Sequence, residues 1–193
     1  MSRAELDLFD VDHTITRHST TGRFMMRAIA RGLVPWRFAA ALLWYGLTYR
    51  LGLLRFKDRD EAFPSFRGAS QADLETLAAE TFERRVRGDL NPKVEQLIRS
   101  RLAAGRRVVF ATSSLDIIVA PLAAHLGVRD VIATRLEFEN GFATGRVAGR
   151  PLFWDDKRRR VLAFIREAGG DPRRCSFHSD SIYDLALLEE VGE

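Results

Sequence analysis

The sequence LFDVDHTIT, from Leu8 to Thr16, decides the fold of this chain. Two carboxylates, Asp10 and Asp12, follow apolar residues that suit a buried β-strand. Parallel α/β sheets bind ligands at the carboxyl ends of their strands, so we expect both aspartates at a binding site, although an Asp-rich turn would explain this segment alone. One carboxylate could act as a nucleophile and the other could transfer protons. Two anions this close also favour a cation, and oxygen ligands suit Mg²⁺.

Composition indicates a folded protein and argues against nucleic-acid binding. A chain of 193 residues with 46% hydrophobic content can form one domain with an insertion, or two small domains. The net charge of +4 could favour anionic partners. The arginines are scattered, however, without zinc-finger spacing or a basic stripe with interleaved aromatics, so nucleic-acid binding is not expected. The single cysteine, Cys175, and an acidic start without a signal-peptide pattern favour the cytoplasm.

The pattern after Thr16 changes from α/β to helical. From about Gly22 to Arg87 apolar residues recur at helical spacing, as in the run Met25, Met26 and Ile29. Ser70 is the expected N-cap of a later helix. An insertion of this length far exceeds what a crossover between parallel strands requires. We therefore interpret residues 17–90 as a helical cap inserted into a core formed by residues 1–16 and 91–193.

Strands and helices alternate again after Asn91. The sequence predicts strands over 107–112, 131–133 and 176–178, and helices over 92–104, 115–126 and 156–168. Between them, Asn140-Gly141 predicts the turn of a β-hairpin. This alternation is typical of an α/β fold, here a Rossmann-like, doubly wound parallel sheet.

Three later segments place polar groups where a predicted strand ends or a predicted helix begins. Thr112-Ser113-Ser114 could bind a phosphate oxygen beside free N–H groups, or could be an ordinary N-cap. Lys157, one of three lysines in the chain, stands at a helix start, where cations are disfavoured, and so suggests an anion to be neutralised. A solvated surface lysine is the alternative. Asp180 and Asp184 follow the last predicted strand.

Together these segments resemble the motifs of the haloacid dehalogenase superfamily. Residues 10–14 are similar to its Asp-x-Asp-x-Thr motif, Thr112 to its Ser/Thr motif, Lys157 to its lysine, and Asp180 with Asp184 to its acidic motif. Their order and spacing agree over nearly the whole chain. The insertion resembles the cap of the phosphoserine-phosphatase-like branch, subfamily IB.

The sequence departs from this pattern at three places. His13 stands where Gly, Ser or Asn is commoner, and Ser179 replaces a frequent glycine. The chain ends at Glu193, whereas relatives usually continue with another strand and helix, so a bare sheet edge would affect stability. The change at His13 removes no catalytic group of the motif.

The resemblance implies a Mg²⁺-dependent phosphatase with an aspartyl-phosphate intermediate. Asp10 is the expected nucleophile and Asp12 the expected acid and base. Mg²⁺ would be bound by Asp10, Asp12 through its backbone carbonyl, and Asp180. The remaining expected roles are phosphate binding by Thr112, Ser113 and Lys157, substrate binding by Arg67, and an orienting role for Asp184.

The substrate is the least determined feature. A small soluble phosphomonoester such as phosphoserine is preferred. The stretch from Val34 to Leu54 is apolar and aromatic and is followed by basic residues, which fits either packing within the cap or peripheral contact with an anionic membrane. A phospholipid head-group phosphatase of the phosphatidylglycerophosphate type is therefore an alternative. A non-catalytic binding module and a phosphotransferase are others, and the sequence leaves the oligomeric state open.

Overall fold

The computed structural model describes residues 5–38 and 63–192 and has an α/β architecture. The strands are β1 (Leu6–Phe9), β2 (Arg107–Leu115), β3 (Asp130–Thr134), β4 (Leu136–Glu139), β5 (Phe142–Val147) and β6 (Ser176–His178). Four of them form a parallel sheet in the order β3-β2-β1-β6, and β4 pairs with β5 as an antiparallel hairpin. The predicted fold class is confirmed.

Six α-helices connect and flank the strands, most of them where the sequence predicts. They are α1 (Thr20–Ala30), α2 (Gln71–Thr81), α3 (Pro92–Ala103), α4 (Asp116–Leu126), α5 (Trp154–Glu167) and α6 (Leu185–Leu188) within the described residues. The Ser70 hydroxyl accepts a hydrogen bond from Asp73 N, as expected of an N-cap. Gly127 ends α4 with a φ of 74°, a left-handed conformation that glycine adopts without strain.

The central strands are buried on both faces. Leu6, Leu8 and Val109 pack with α5 on one face, while Phe9 and Phe110 pack with α4 on the other. Burying each of these large side chains contributes about 1.5–3 kcal/mol. The strand order places the carboxyl ends of β1, β2 and β6 side by side at one edge, which is where the polar segments of the sequence occur.

One boundary differs from the sequence prediction. Residues 112–114 do not start a helix but continue strand β2, which ends at Leu115, and α4 begins only at Asp116. The strand is prolonged because Leu115 pairs with Thr134 of β3 after a shift in register. These hydroxyl groups therefore project from the end of a strand, and none of them caps the helix, whose N-cap residue is Leu115 without a side-chain hydrogen bond. Phosphate binding by these residues stays a prediction.

The described part of the predicted insertion is helical. Helices α1 and α2 share an apolar cluster with the first turn of α4 and with the hairpin, through residues such as Phe24, Leu74, Ile117 and Leu136. Met25 is buried there, whereas Met26, predicted on the same apolar stripe, is 65% exposed. The hairpin turns at Asn140 and Gly141, with φ values of 51° and 81°, as predicted.

The predicted apolar stretch from Val34 to Leu54 lies mostly outside the described residues. Of the part that is described, Val34 is buried and Trp36 is 82% exposed. Helices long and apolar enough to span a bilayer do not occur among residues 5–38 and 63–192.

Candidate active site

Asp10 lies at the first position after β1, at the centre of the parallel sheet. Its backbone N–H donates to the carbonyl of His178, the last residue of β6, over 2.9 Å. This bond continues the β1–β6 pairing past the end of the strand. The Asp10 side chain is 10% exposed, so one carboxylate is held in a sheltered position where neighbouring strands end.

Lys157 joins two acidic side chains in the interior. Its Nζ donates to Asp10 Oδ1 over 2.8 Å and to Asp184 Oδ2 over 2.7 Å. Helix α5 carries the lysine in its first turn, so the prediction that this cation meets an anion is supported by direct contacts. The Ser179 hydroxyl also donates to Asp184 Oδ2, over 2.7 Å, which fixes that carboxylate from a second side.

The electrostatics of this group follow from one buried cation among several acids. Burial, which removes the carboxylate from water, raises the pKa of Asp10 to about 6, although Lys157 opposes the rise. Burial alone would lower the pKa of Lys157, but the attraction of Asp10 and Asp184 raises it above its ordinary value. The lysine therefore stays charged. The negative charge around it exceeds its own, which favours an additional cation.

The Asp12 carboxylate is surrounded by hydroxyl groups. Oδ1 accepts hydrogen bonds from Thr20 N over 2.8 Å and from Thr20 Oγ1 over 2.6 Å. Oδ2 accepts longer bonds from Ser114 Oγ at 3.0 Å and Ser19 Oγ at 3.2 Å. Asp12 is thus fixed by the N-terminus of α1 and the end of β2, and Oδ2 is the less tightly bound oxygen.

Asp180 is held by the loop that contains the first two acids. Thr14 Oγ1 and Asp180 Oδ1 are 3.1 Å apart, and Asp180 N donates to the same Thr14 oxygen over 3.1 Å. These bonds fix the loop after β6 to the loop after β1. Asp10 and Asp180 therefore follow two adjacent strands, and their loops are joined by side-chain contacts.

The remaining predicted site residues differ in their environments. Thr112 is buried at the end of β2, and its Oγ1 accepts a hydrogen bond from Ser114 N over 3.1 Å, which leaves the hydroxyl proton for a ligand. Ser113 is half-buried, and its carbonyl accepts from Thr134 Oγ1. Arg67 is exposed, and the described bonds that hold Asp10, Asp12 and Asp180 do not involve it.

Side chains supply only some of the oxygen ligands that a hard divalent cation would need at this site. Within the described residues, no three acidic, histidine or cysteine side chains converge on one metal-sized position. The Asp12 carboxylate faces its hydroxyl donors, so its contribution to a metal site would come from the backbone carbonyl. Asp10 uses Oδ1 for Lys157 and retains Oδ2. Two carboxylates and a carbonyl are oxygen donors of the kind that Mg²⁺ prefers, with water completing its coordination.

Sequence reasoning missed the residues that position the acids. Ser114 and Thr20 bind Asp12, and Ser179 binds Asp184. The sequence indicated Ser114 only as part of a possible phosphate-binding segment, and no site role was predicted for Thr20 or Ser179. The signal that could have identified Thr20 is the hydroxyl run Ser19-Thr20-Thr21 shortly after the first motif. Ser114 could not be assigned, since its role depends on β2 continuing as a strand.

Comparison with known proteins shows the family of this chain. The family model for haloacid dehalogenase-like hydrolases matches residues 8–189, and the chain belongs to this family. The phosphoserine phosphatase SerB1 of Mycobacterium tuberculosis is 28% identical over 189 residues, which cover 95% of this chain and 61% of that protein. The chain thus spans about three fifths of the length of the curated relatives that it matches first.

Two solved structures are similar to this chain in fold. A protein of unknown function from Bordetella pertussis Tohama I superposes with a TM-score of 0.81 at 26% identity, covering 100% of this chain and 89% of that one. A phosphoserine phosphatase in its apo form superposes with a TM-score of 0.64 at 19% identity, covering 98% and 84%. The second likeness concerns the fold alone.

Proposed function

We propose that this protein is a Mg²⁺-dependent phosphomonoester phosphatase that works through an aspartyl-phosphate on Asp10. The observation that carries the proposal is the buried contact of Lys157 with Asp10 and Asp184, at the carboxyl ends of adjacent strands. A purely structural ion pair would account for one carboxylate. Several acids around one lysine, beside a second aspartate fixed by hydroxyl groups, are better explained by a site for a phosphate group and a cation.

In the first step Asp10 attacks phosphorus in line and the bond to the leaving oxygen breaks. Oδ2 is the natural nucleophilic atom or metal ligand, because Oδ1 is bound to Lys157. The lysine orients the carboxylate and later stabilises the transferring oxygens. The Thr112 hydroxyl donates a hydrogen bond to the same phosphate group. Dividing one displacement into two steps is the advantage of a covalent intermediate.

Asp12 transfers the protons in both steps. It protonates the leaving ester oxygen in the first step, which departs as an alcohol. In the second step it accepts a proton from the attacking water, and this step releases phosphate and restores Asp10. The longer hydrogen bonds of Asp12 are those at Oδ2. Replacing a hydroxyl partner by the substrate therefore costs less free energy at Oδ2 than at Oδ1. Ser114 and Ser19 therefore position the acid rather than take part in the chemistry.

The residues proposed to bind Mg²⁺ are Asp10, the backbone carbonyl of Asp12, and Asp180. When bound, the ion supplies positive charge that offsets the repulsion between the Asp10 carboxylate and a phosphate dianion. The hydrogen bonds between Thr14 and Asp180 keep the two contributing loops in register. Asp184 orients Lys157.

We propose a small soluble phosphomonoester as the substrate and residues 17–90 as the cap that selects it. Similarity to a phosphoserine phosphatase supports phosphoserine as the first compound to test. Thr20 of α1 donates two hydrogen bonds to Asp12, so the predicted cap contributes directly to the surroundings of the proposed acid. This contact supports a leaving group that binds between the helical segment and the sheet. A phospholipid phosphomonoester, with peripheral membrane contact, is the alternative substrate.

The test is phosphate release from a panel of phosphomonoesters that includes phosphoserine and phosphatidylglycerophosphate, with and without Mg²⁺. Asp10→Asn keeps the size of the side chain but removes the nucleophile, so turnover should be abolished while the protein stays folded. Wild-type activity in this variant would show that the assigned nucleophile is wrong. If the folded wild-type protein releases no phosphate from any compound of the panel with Mg²⁺ present, a non-catalytic module is favoured. Added alcohols would reveal transfer to an acceptor other than water.

A further inference from the structure

A groove rich in arginine lies on the surface between α1 and the turns that follow α2. It has a volume of about 780 Å³ and shares no lining residue with the site around Asp10. One wall is formed by a face of α1 and the other by the turns over residues 82–89. The lining residues are Gly22, Arg23, Met26, Arg27, Ala30, Arg84, Arg85, Gly88 and Asp89.

The groove face of α1 is not the face that builds the core. Phe24, Met25 and Ala28 are buried against the apolar cluster, whereas Met26 points away and is 65% exposed. An exposed methionine between arginines presents an apolar contact inside a charged surface. The opposite wall contains a π-helical turn, Phe82–Val86, which is a rare conformation that occurs often at functional sites.

Positive charge in the groove exceeds what its own acids neutralise. Four guanidinium groups line it against one carboxylate, that of Asp89, which pairs with Arg23. Arg27 pairs with Glu80 through one terminal nitrogen, but its buried Nε has no hydrogen-bond partner in the described structure. Arg84 and Arg85 form no ion pair among the described residues. Buried donors without a partner are uncommon in folded proteins.

We propose that this groove is a second anion site, which binds a phosphate-bearing ligand independently of the Asp10 site. Guanidinium groups bind phosphate oxygens in pairs, and arginines line both walls of the groove, Arg23 and Arg27 on α1 and Arg84 and Arg85 on the opposite wall. A volume of this size also accommodates a small organic portion beside Met26. The ligand is a soluble phosphorylated molecule, and the same chemistry would be offered by the phosphate of an anionic lipid head group.

The test uses inorganic pyrophosphate as the probe and isothermal titration calorimetry as the assay, at low salt with EDTA. Met26→Glu places a carboxylate in the groove at an exposed helical position, and Met26→Gln has the same shape without the charge. The glutamate variant should bind pyrophosphate at least about tenfold more weakly than wild type, while the glutamine variant should match wild type. Thermal melting of both variants controls for folding.

A second pair of variants removes charge instead of adding it. Arg84→Gln/Arg85→Gln should also weaken binding, whereas Arg99→Gln/Arg166→Gln, with the same net charge, should not. Flotation with phosphatidylglycerol vesicles forms a separate arm. Loss of vesicle binding in the groove variants, with no pyrophosphate binding by any form, would identify a lipid phosphate as the ligand. Equal binding by groove and control variants in both arms, or no binding by wild type in either, would overturn the proposal.

Discussion

Replacing Lys157 by methionine tests the electrostatic description of the site without relying on catalysis. The Lys157 side chain is 4% exposed and donates two charge-assisted hydrogen bonds, to Asp10 and Asp184. Methionine fills a similar volume but leaves both carboxylates buried without their cation. Removing one partner of a buried ion pair costs about 3–5 kcal/mol, because the remaining charge is desolvated and uncompensated.

This loss is a large part of the stability of an ordinary domain, which is about 5–15 kcal/mol. For a chain of this size each kcal/mol corresponds to about 2–4 °C in Tm, so Lys157→Met should lower Tm by about 10 °C. The measurement is thermal and urea unfolding followed by circular dichroism, in EDTA so that no divalent cation replaces the lysine. Lys93→Met, at an exposed lysine in α3, should change the free energy of unfolding by no more than about 0.5 kcal/mol.

A second substitution separates charge from packing. Asp184→Asn in the Lys157→Met background removes one of the two uncompensated carboxylates, while its amide oxygen can still accept from Ser179. The free energy of unfolding should recover in part. A Lys157→Met protein that melts within a degree of wild type would refute the reasoning, since the buried cation would then contribute nothing to the fold.

Three further predictions concern positioning, pH and packing. Ser114→Ala removes a donor to Asp12 and should lower kcat about tenfold with little change in KM, measured by steady-state kinetics. Burial alone would raise the pKa of Asp89, but hydrogen bonds from His18 and the charge of Arg23 lower the pKa below its usual range. A lowered folded-state pKa means that the ionised carboxylate stabilises the protein above about pH 4. This stabilisation is lost as the pH falls through the folded-state pKa. The difference in unfolding free energy between wild type and Asp89→Asn should therefore shrink as the pH falls below about 4, which is the carboxyl pKa in the unfolded chain. Gly170→Ala should destabilise the protein by about 1–3 kcal/mol, seen in urea unfolding, because the added Cβ would lie 2.8 Å from Leu6 Cδ1.

The serine and glycine predictions each have a matched control variant, and the pH prediction has an outcome that would contradict it. Ser100→Ala removes an exposed hydroxyl in α3 and should leave kcat unchanged, so an equal loss in both serine variants would contradict a positioning role for Ser114. A constant difference between wild type and Asp89→Asn across the pH range would show that the carboxylate contributes no charge-dependent stability. Gly88→Ala places a Cβ where no atom lies within 4 Å, and the φ of Gly88 is not in the left-handed region, so this substitution should cost less than Gly170→Ala.

The sequence by itself determined the strands and helices whose patterns are strong and local. Strand β1, the helix from Pro92, the Gly127 end of α4 and the hairpin at Asn140-Gly141 follow from hydrophobic periodicity, capping residues and turn chemistry. The order of the acidic, hydroxyl and lysine motifs was also sufficient to identify the family, because each motif follows a predicted strand or begins a predicted helix.

Only the tertiary structure decided which side chains meet. Lys157 is 147 residues from Asp10 in the chain, and their 2.8 Å contact exists because α5 packs beside β1 and β6. The hydroxyl environment of Asp12 combines α1 with the end of β2, and β2 is extended through Ser114 by pairing with β3. Local propensity cannot specify such contacts, since they depend on strand register and helix packing. For the same reason Met26, which has the spacing of a core residue, is exposed beside the arginine groove.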